Sequence, residues 1–440
     1  MNKDAVLAGA GLQRRLQTYA TGDGTTLAET NFSVSREKPT GRSTQQKSER
    51  NSTTMKIVEI EALVPQATGR RSWLVEERMA SPMAPYPEYA ETRSSWQGMV
   101  PRTIARVTTD EGVAGIGVGG GGAPSCHIIE HHLKPLLVGR DPRDIELLWD
   151  LMYRATLPYG RKGLPIMAVS AIDNALWDIK GKAAGVPVYV LLGGKTKGPG
   201  NQPPRVALYA SGNRSEAYTR LGFQRNKVFM RYGPPDGAEG MRENEAQVAA
   251  ARDALGPDRL LMIDAWMGWD VPYAVTMAER LRQFDVYWLE EPLLPDDYDG
   301  YATLRKRLPW LHIACGEHEY THYGFHELIK QGCADILQPD LAWCGGITVA
   351  RRVAALAETH GLQVIPHIGG VMSYNFVAAH GVCPMAEFIF GSGDGTEIAP
   401  IHSFYVGEPL PEDGEVQLSD APGWGVELSP QAAYTRPHPV

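Results

Sequence analysis

The chain has 440 residues, 43% hydrophobic and 21% charged, the balance of a soluble globular protein long enough for two domains. Its net charge of -8 leaves no global basic field for nucleic acid or an anionic membrane, and no stretch approaches the roughly eighteen apolar residues of a membrane span. Five scattered cysteines without a C-x-x-C pair argue against a disulfide framework or a structural zinc cluster and for free thiols in the cytoplasm.

Residues 1–54 are polar and aperiodic, as in "TGRSTQQKSERNSTT". They hold too little apolar surface to offset the entropy of ordering, so a disordered leader is expected. The leader lacks the apolar core of a secretory signal and carries Asp4, Asp23, Glu29 and Glu37, unlike a transit peptide. Folded structure is expected from the strand "MKIVEIEALV" onward, beginning at Met55.

An α+β capping domain is expected over 55–190. "RTIARVTTDEGVAGIGV" reads as two strands turning at Asp110-Glu111-Gly112. "SAIDNALWDIKGKAAG" (170–185) reads as a helix with one apolar face, stopped by Gly185 and Pro187.

From 191 to 400 short apolar runs alternate with amphipathic helical stretches. Eight candidate strands are "VALYAS", "KVFM", "LLMIDA", "VYWLEE", "HIACGE", "DILQPD", "QVIPH" and "AEFIF". Eight strand–helix units predict a (β/α)8-type barrel, with a doubly wound open sheet as the competing layout. Residues 401–440, rich in Pro and Gly, are expected to return to the cap and complete it.

Charged residues recur at the C-terminal ends of successive strands: Lys227, Asp264, Glu290, Glu317, Asp340, His367 and Glu387. In a barrel these ends share one rim, where barrel enzymes carry out their chemistry. Asp264, Glu290 and Glu317 offer oxygen donors suited to a hard divalent cation such as Mg2+, which relieves their mutual repulsion. Asp340 on the strand before His367 can fix the imidazole tautomer and raise the basicity of the other nitrogen, making His367 a general base.

This constellation, with "WLEEP", "CGEH", "QPD" and "IPH", resembles the enolase superfamily in its mandelate-racemase-like branch, over roughly 56–430. "DAWMGWDVPYA", "CGEHEY", "DILQPDLAWCGGIT" and "PGWGVEL" are similar to the L-rhamnonate dehydratases, which remove water from an acid sugar. The resemblance implies one Mg2+ per subunit on Asp264, Glu290 and Glu317, and a homo-oligomer acting on a small acid sugar. His367, oriented by Asp340, would take the C2 proton and return it to the departing C3 hydroxyl. A protonated Glu387 would donate to the developing oxyanion, and His318 would face the substrate as a secondary acid. Lys227 and Arg93 would contact substrate.

Two departures stand out. Relatives carry Lys-x-Lys after the second strand, whereas Phe229 fills the second position here, favouring one-sided elimination over two-base racemisation. The early capping loop "PQATGRRSW" lacks the histidine expected of rhamnonate dehydratases, which leaves other hexonates and pentonates open.

Two short motifs match other chemistries. His318, Glu319 and His322 spell H-E-x-x-H, a zinc-peptidase pattern, but one that needs both histidines on a helix. Gly117, Gly119 and Gly122 match a dinucleotide fingerprint, but one that needs a βαβ unit. A barrel that only binds an acid is disfavoured by the His367–Asp340 pair.

Overall fold

The computed structural model describes residues 54–66, 73–97, 101–400 and 402–440. The expected leader, apart from Thr54, and residues 67–72 of the capping loop lie outside the described residues.

The first sheet is an antiparallel meander. β1 (Ile57–Pro65) pairs with β2 (Thr103–Thr109), and β2 with β3 (Ala114–Gly119). The predicted turn sits between β2 and β3, where Gly112 takes φ 81°, a conformation that glycine adopts without steric cost.

The glycines of β3 have a packing role. A Cβ on Gly117 would lie 2.2 Å from the carbonyl oxygen of Ala171, and one on Gly119 would lie 2.4 Å from that of Met167. Their absence lets the helix Leu164–Ala184 rest its backbone directly on the strand. Because β3 runs antiparallel to β2, no βαβ unit forms around the glycine run, and the dinucleotide reading fails.

That helix differs from the expectation. It begins at Leu164, six residues before the predicted start at 170, with Pro165 in its first turn, where a missing N–H costs nothing. It is buried on every side from Pro165 to Ile179, because β3, the helix Ile145–Thr156 and the helix Gly346–Thr359 all pack on it. Its buried polar residues are satisfied across elements. Asn174 donates to the carbonyls of Val118 and Leu341, both at 3.0 Å, and Asp178 accepts from the N–H groups of Ile116 and Trp424, both at 2.9 Å.

The second layer contains all eight predicted strands: β4 (Arg205–Ser211), β5 (Arg225–Phe229), β6 (Leu260–Asp264), β7 (Val286–Glu290), β8 (His312–Cys315), β9 (Ile336–Leu337), β10 (Gln363–Val364) and β11 (Ala386–Ile389). They pair in parallel in the order β11-β4-β5-β6-β7-β8-β9-β10. A helix follows each strand from β4 to β10. The order advances without reversal and the last strand returns to the first, which excludes the doubly wound sheet. Beside β10 and β11, the Val364 N–H donates to the Val382 carbonyl at 3.0 Å, and the Ile368 N–H to the Glu387 carboxylate at 2.7 Å.

Local sequence explains several helix starts. Asp270 accepts from the Tyr273 N–H at 2.8 Å, and Asp297 from the Gly300 N–H at 2.9 Å, each capping the helix that follows.

The C-terminal segment adds β12 (Tyr405–Val406), β13 (Pro411–Glu412), β14 (Glu415–Gln417), β15 (Glu427–Leu428) and β16 (Tyr434–Thr435). β16 pairs with β1, extending the meander. β14 instead pairs antiparallel with β4, so the segment also fastens to the parallel sheet. Trp424 is buried and donates to the carbonyls of Ile116 and Asn174, at 3.0 and 3.1 Å. Burying a side chain of this size contributes about 2–3 kcal/mol. Among the described residues no helix is long and apolar enough to cross a membrane.

Candidate active site

Strand register brings the predicted charges together. Asp264 and Glu290 are the last residues of β6 and β7 and are paired neighbours. Glu317 follows β8 by two residues. Asp340 and His367 lie three residues beyond β9 and β10 and form an isolated parallel bridge. Glu387 enters from β11.

Lys227 lies at the centre, fully buried. Its Nζ is 2.5 Å from Glu290, 3.1 Å from Glu387 and 3.3 Å from Asp264. Burial alone would depress its pKa, but Glu290 and Glu387 outweigh that and hold it well above the usual lysine value. It neutralises the carboxylates around it and is shielded from solvent.

The carboxylates remain under-compensated. Burial pushes Glu290 up to about 7 against the pull of Lys227, with Asp264 adding repulsion. Burial raises Asp264 as well, with Lys227 opposing and Glu317 adding to the rise. Burial likewise raises Glu317, only partly offset by His367 and His318. Glu317 Oε2 is buried with no hydrogen-bond partner.

The imidazole of His367 sits between two of these acids. Nε2 is 3.1 Å from Glu317, and Nδ1 is 3.2 Å from Glu387, off the hydrogen-bond line. Burial disfavours the charged ring, but Glu317 and Glu387 prevail and push its pKa up to about 10. The expected hydrogen bond from Asp340 is absent. Asp340 Oδ1 accepts the Ala342 N–H at 2.6 Å, and Oδ2 is buried without a hydrogen-bond partner, 4.0 Å from the Arg102 guanidinium. A cationic ring gains more between two close carboxylates than beside one.

Glu387 is fully buried. Burial raises its pKa, but Lys227 and His367 overcome that and hold it well below the usual carboxylate range. It accepts from Ser211 at 2.5 Å and from the Ile368 N–H at 2.7 Å.

Sequence reading missed Glu291. Its Oε2 lies 2.6 Å from His318 Nδ1, and its Oε1 accepts the N–H groups of Gly316 and His318, both at 3.2 Å. Strand alternation would turn Glu291 away from the side of Glu290, but its φ of 36° breaks that alternation. The doubled acid in "WLEEP" was the available signal. Burial lowers the His318 pKa, but Glu291 and Glu317 raise it to about 9. The ring stands between Trp266 and Trp343, at 6.1 and 5.4 Å between centroids.

Arg93 comes from the cap, in the short 3-10 turn Arg93–Ser95. It is buried, donates to the Leu74 carbonyl at 2.6 Å and stacks over Trp266 at 4.5 Å. Burial lowers its pKa, and Glu317 and Asp264 pull it back up, so it faces the acidic cluster. Phe229 packs in an apolar group with Trp73, Met79 and Trp266.

The zinc-peptidase triad does not assemble. The helix begins at Thr321, so His318 and Glu319 precede it. Glu319 is held by Lys162 at 2.8 Å and by the Tyr298 hydroxyl at 2.5 Å. His322 packs on Trp149 and Tyr323, and burial with nearby Arg352 pushes its pKa down to about 4.

Among the described residues, the groups whose donor atoms converge within 4.8 Å are Glu290, Glu317 and His367, and Glu291, Glu317 and His318. Asp264 approaches from the Lys227 side. The site fits a hard divalent cation on its own chemistry: buried oxygen donors, raised carboxylate pKa values and an unpartnered Glu317 oxygen. Such a cation prefers carboxylate oxygen to imidazole, which favours Asp264 over His367 as the third donor.

Comparison with known proteins agrees with this architecture. Residues 84–193 match the family described as mandelate racemase / muconate lactonizing enzyme, N-terminal domain, and residues 213–432 match enolase C-terminal domain-like. An L-rhamnonate dehydratase from Saccharopolyspora erythraea is 40% identical over 394 residues, covering 87% of this chain and 99% of that protein. The crystal structure of rhamnonate dehydratase from Gibberella zeae complexed with Mg aligns with a TM-score of 0.80 at 34% identity, over 85% of this chain and 94% of that one. A magnesium-bound racemase from Streptomyces coelicolor aligns with a TM-score of 0.71 at 28% identity, over 84% and 97% of the two chains. The chain belongs to the mandelate racemase and muconate lactonizing enzyme family of the enolase superfamily.

Proposed function

We propose that the protein is an Mg2+-dependent acid-sugar dehydratase, with L-rhamnonate as its foremost substrate, that yields a 2-keto-3-deoxy sugar acid. One observation carries this reading: His367, a titratable base, is held at the edge of a buried carboxylate cluster that lacks enough positive charge. The identity to L-rhamnonate dehydratase along most of the chain supports the substrate.

Asp264, Glu290 and Glu317 would hold the cation, which when bound supplies Lewis-acid stabilisation of negative charge on the substrate carboxylate. His367 takes the C2 proton. Glu317 contributes most to raising its pKa, so engaging Glu317 elsewhere frees Nε2 as a base. The electron pair from the C2–H bond forms the C2–C3 double bond as the C3–O bond breaks. The imidazolium returns its proton to the departing hydroxyl, giving water, and the resulting enol tautomerises to the ketone. Glu387 supports the imidazolium as an ionised acceptor, and Asp340 stands ready to take Nδ1–H. His318, held by Glu291, faces the site as a second acid, while Arg93 binds a substrate hydroxyl or carboxylate. Phe229 walls off the face where a second base would act, which disfavours racemisation.

We further propose that the parallel strands close as a (β/α)8 barrel over 191–400, capped by 55–190 and 401–440. A cytoplasmic location is in keeping with five buried free cysteines. The decisive test is a panel of acid sugars with Mg2+, following 2-keto acid by its semicarbazone. Product from L-rhamnonate is expected. Failure of every acid sugar to yield a 2-keto acid would overturn the reading.

A further inference from the structure

Three histidines gather on the cap, on elements that carry none of the acidic cluster. His127 ends the helix Gly122–Ile128, and His131 lies four residues on, in the π-helical turn Ile129–Leu133. His438 comes from beyond β16. The ring centroids are 4.5 Å apart for His127 and His131, 5.1 Å for His127 and His438, and 6.4 Å for His131 and His438. His127 and His131 are exposed, and His438 is half-buried. Among the described residues, none of the three rings is hydrogen-bonded or ion-paired to a protein group.

The approach of His438 is built in. Arg436, two residues earlier, reaches buried Glu130 at 2.7 and 2.9 Å and Glu59 at 2.9 Å. β16 pairs with β1 just before it. Glu130, the acid immediately before His131 in sequence, is already engaged by Arg436, Lys134 and the Ala62 N–H. The trio therefore offers imidazole nitrogen donors with no carboxylate among them.

We propose that His127, His131 and His438 form a binding site for a borderline divalent transition cation such as Zn2+, clamping the C-terminal segment to the cap. Imidazole donors suit zinc, copper and nickel, whereas the acidic site suits a hard cation. A tetrahedral zinc with nitrogens about 2.0–2.1 Å away places imidazole centroids roughly 5 Å apart, and the three observed separations bracket that spacing. In this structure the rings lie against one another, and their nitrogens are not among the donor sets already converged within 4.8 Å. His127 and His131 are exposed, so their rings can turn without repacking the core.

The test uses the full chain in saturating Mg2+, titrated with Zn2+ in competition with a chromophoric chelator. Wild type is expected to take up one equivalent that His438→Ala and His127→Ala bind at least tenfold more weakly. His132→Ala, whose ring is engaged by the Tyr159 hydroxyl at 2.6 Å, should bind as wild type does. X-ray absorption of the bound zinc should show outer-shell imidazole scattering that His438→Gln diminishes. Zinc-free melting temperatures should be unchanged in all the variants, confirming that they fold. Wild-type stoichiometry and affinity in His438→Ala, or a zinc spectrum without imidazole, would overturn the site.

Discussion

Lys227 Nζ lies 2.5 Å from Glu290 Oε1 in a place neither side chain shares with solvent. The same ammonium also reaches Asp264 and Glu387. It is the cation around which β5, β6, β7 and β11 are assembled.

Replacing Lys227 by Met should therefore destabilise the fold by about 3–5 kcal/mol, because removing one member of a buried ion network strands the others. Urea unfolding in Mg2+-free buffer measures this. A midpoint equal to wild type would show that Lys227 is dispensable to the cluster.

His367→Asn should lower dehydration by about 10²–10⁴-fold, the range expected when a positioned acid–base group is lost. Mg2+ affinity, read by calorimetry, should persist, because the proposed oxygen donors are untouched. Wild-type turnover in this variant would rule out His367 as the base.

Asp173 accepts from both the hydroxyl and the N–H of Thr348, at 2.6 and 3.0 Å, tying the cap helix to the helix after β9. Burial pushes its pKa up from 3.8 to about 7, despite the bonds from Thr348. A carboxyl with a raised folded-state pKa favours folding below its unfolded value, and that contribution is lost as pH rises through the folded value. Wild-type stability relative to Asp173→Asn should accordingly decline between pH 3.8 and about 7. Parallel stability curves for the two proteins across that window would refute the assignment.

Gly117→Ala should cost about 1–3 kcal/mol or more, since overpacking forces backbone shifts and the new Cβ would meet the Ala171 carbonyl at 2.2 Å. Gly381→Ala is the control, with nothing within 4 Å of its Cβ. Thermal melts should separate the two. Equal melting temperatures would show that the β3–helix contact is looser than described.

Much of this protein was legible one residue type at a time. Eight apolar runs at recurring intervals, seven of them carrying a charged or ionisable residue, implied parallel strands whose charges share a rim. That implication holds because chain direction and side-chain alternation are local properties of a strand. Asp264, Glu290, Glu317, His367 and Glu387 were placed together on that basis alone. The early start of the helix at Leu164 and its burial on all sides were not legible, since its surroundings come from β3, the Gly346–Thr359 helix and Trp424, all remote in sequence. The partner of His318 was hidden for a similar reason: the positive φ of Glu291 redirects a side chain that alternation sends elsewhere. Spacing put Asp340 beside His367, yet the ring sits between Glu317 and Glu387. The sequence by itself determined which charges meet at the strand ends, because strand direction and spacing are written locally. Only the tertiary structure decided how those charges pair, because buried electrostatics depends on distances of a few ångströms between residues far apart in the chain.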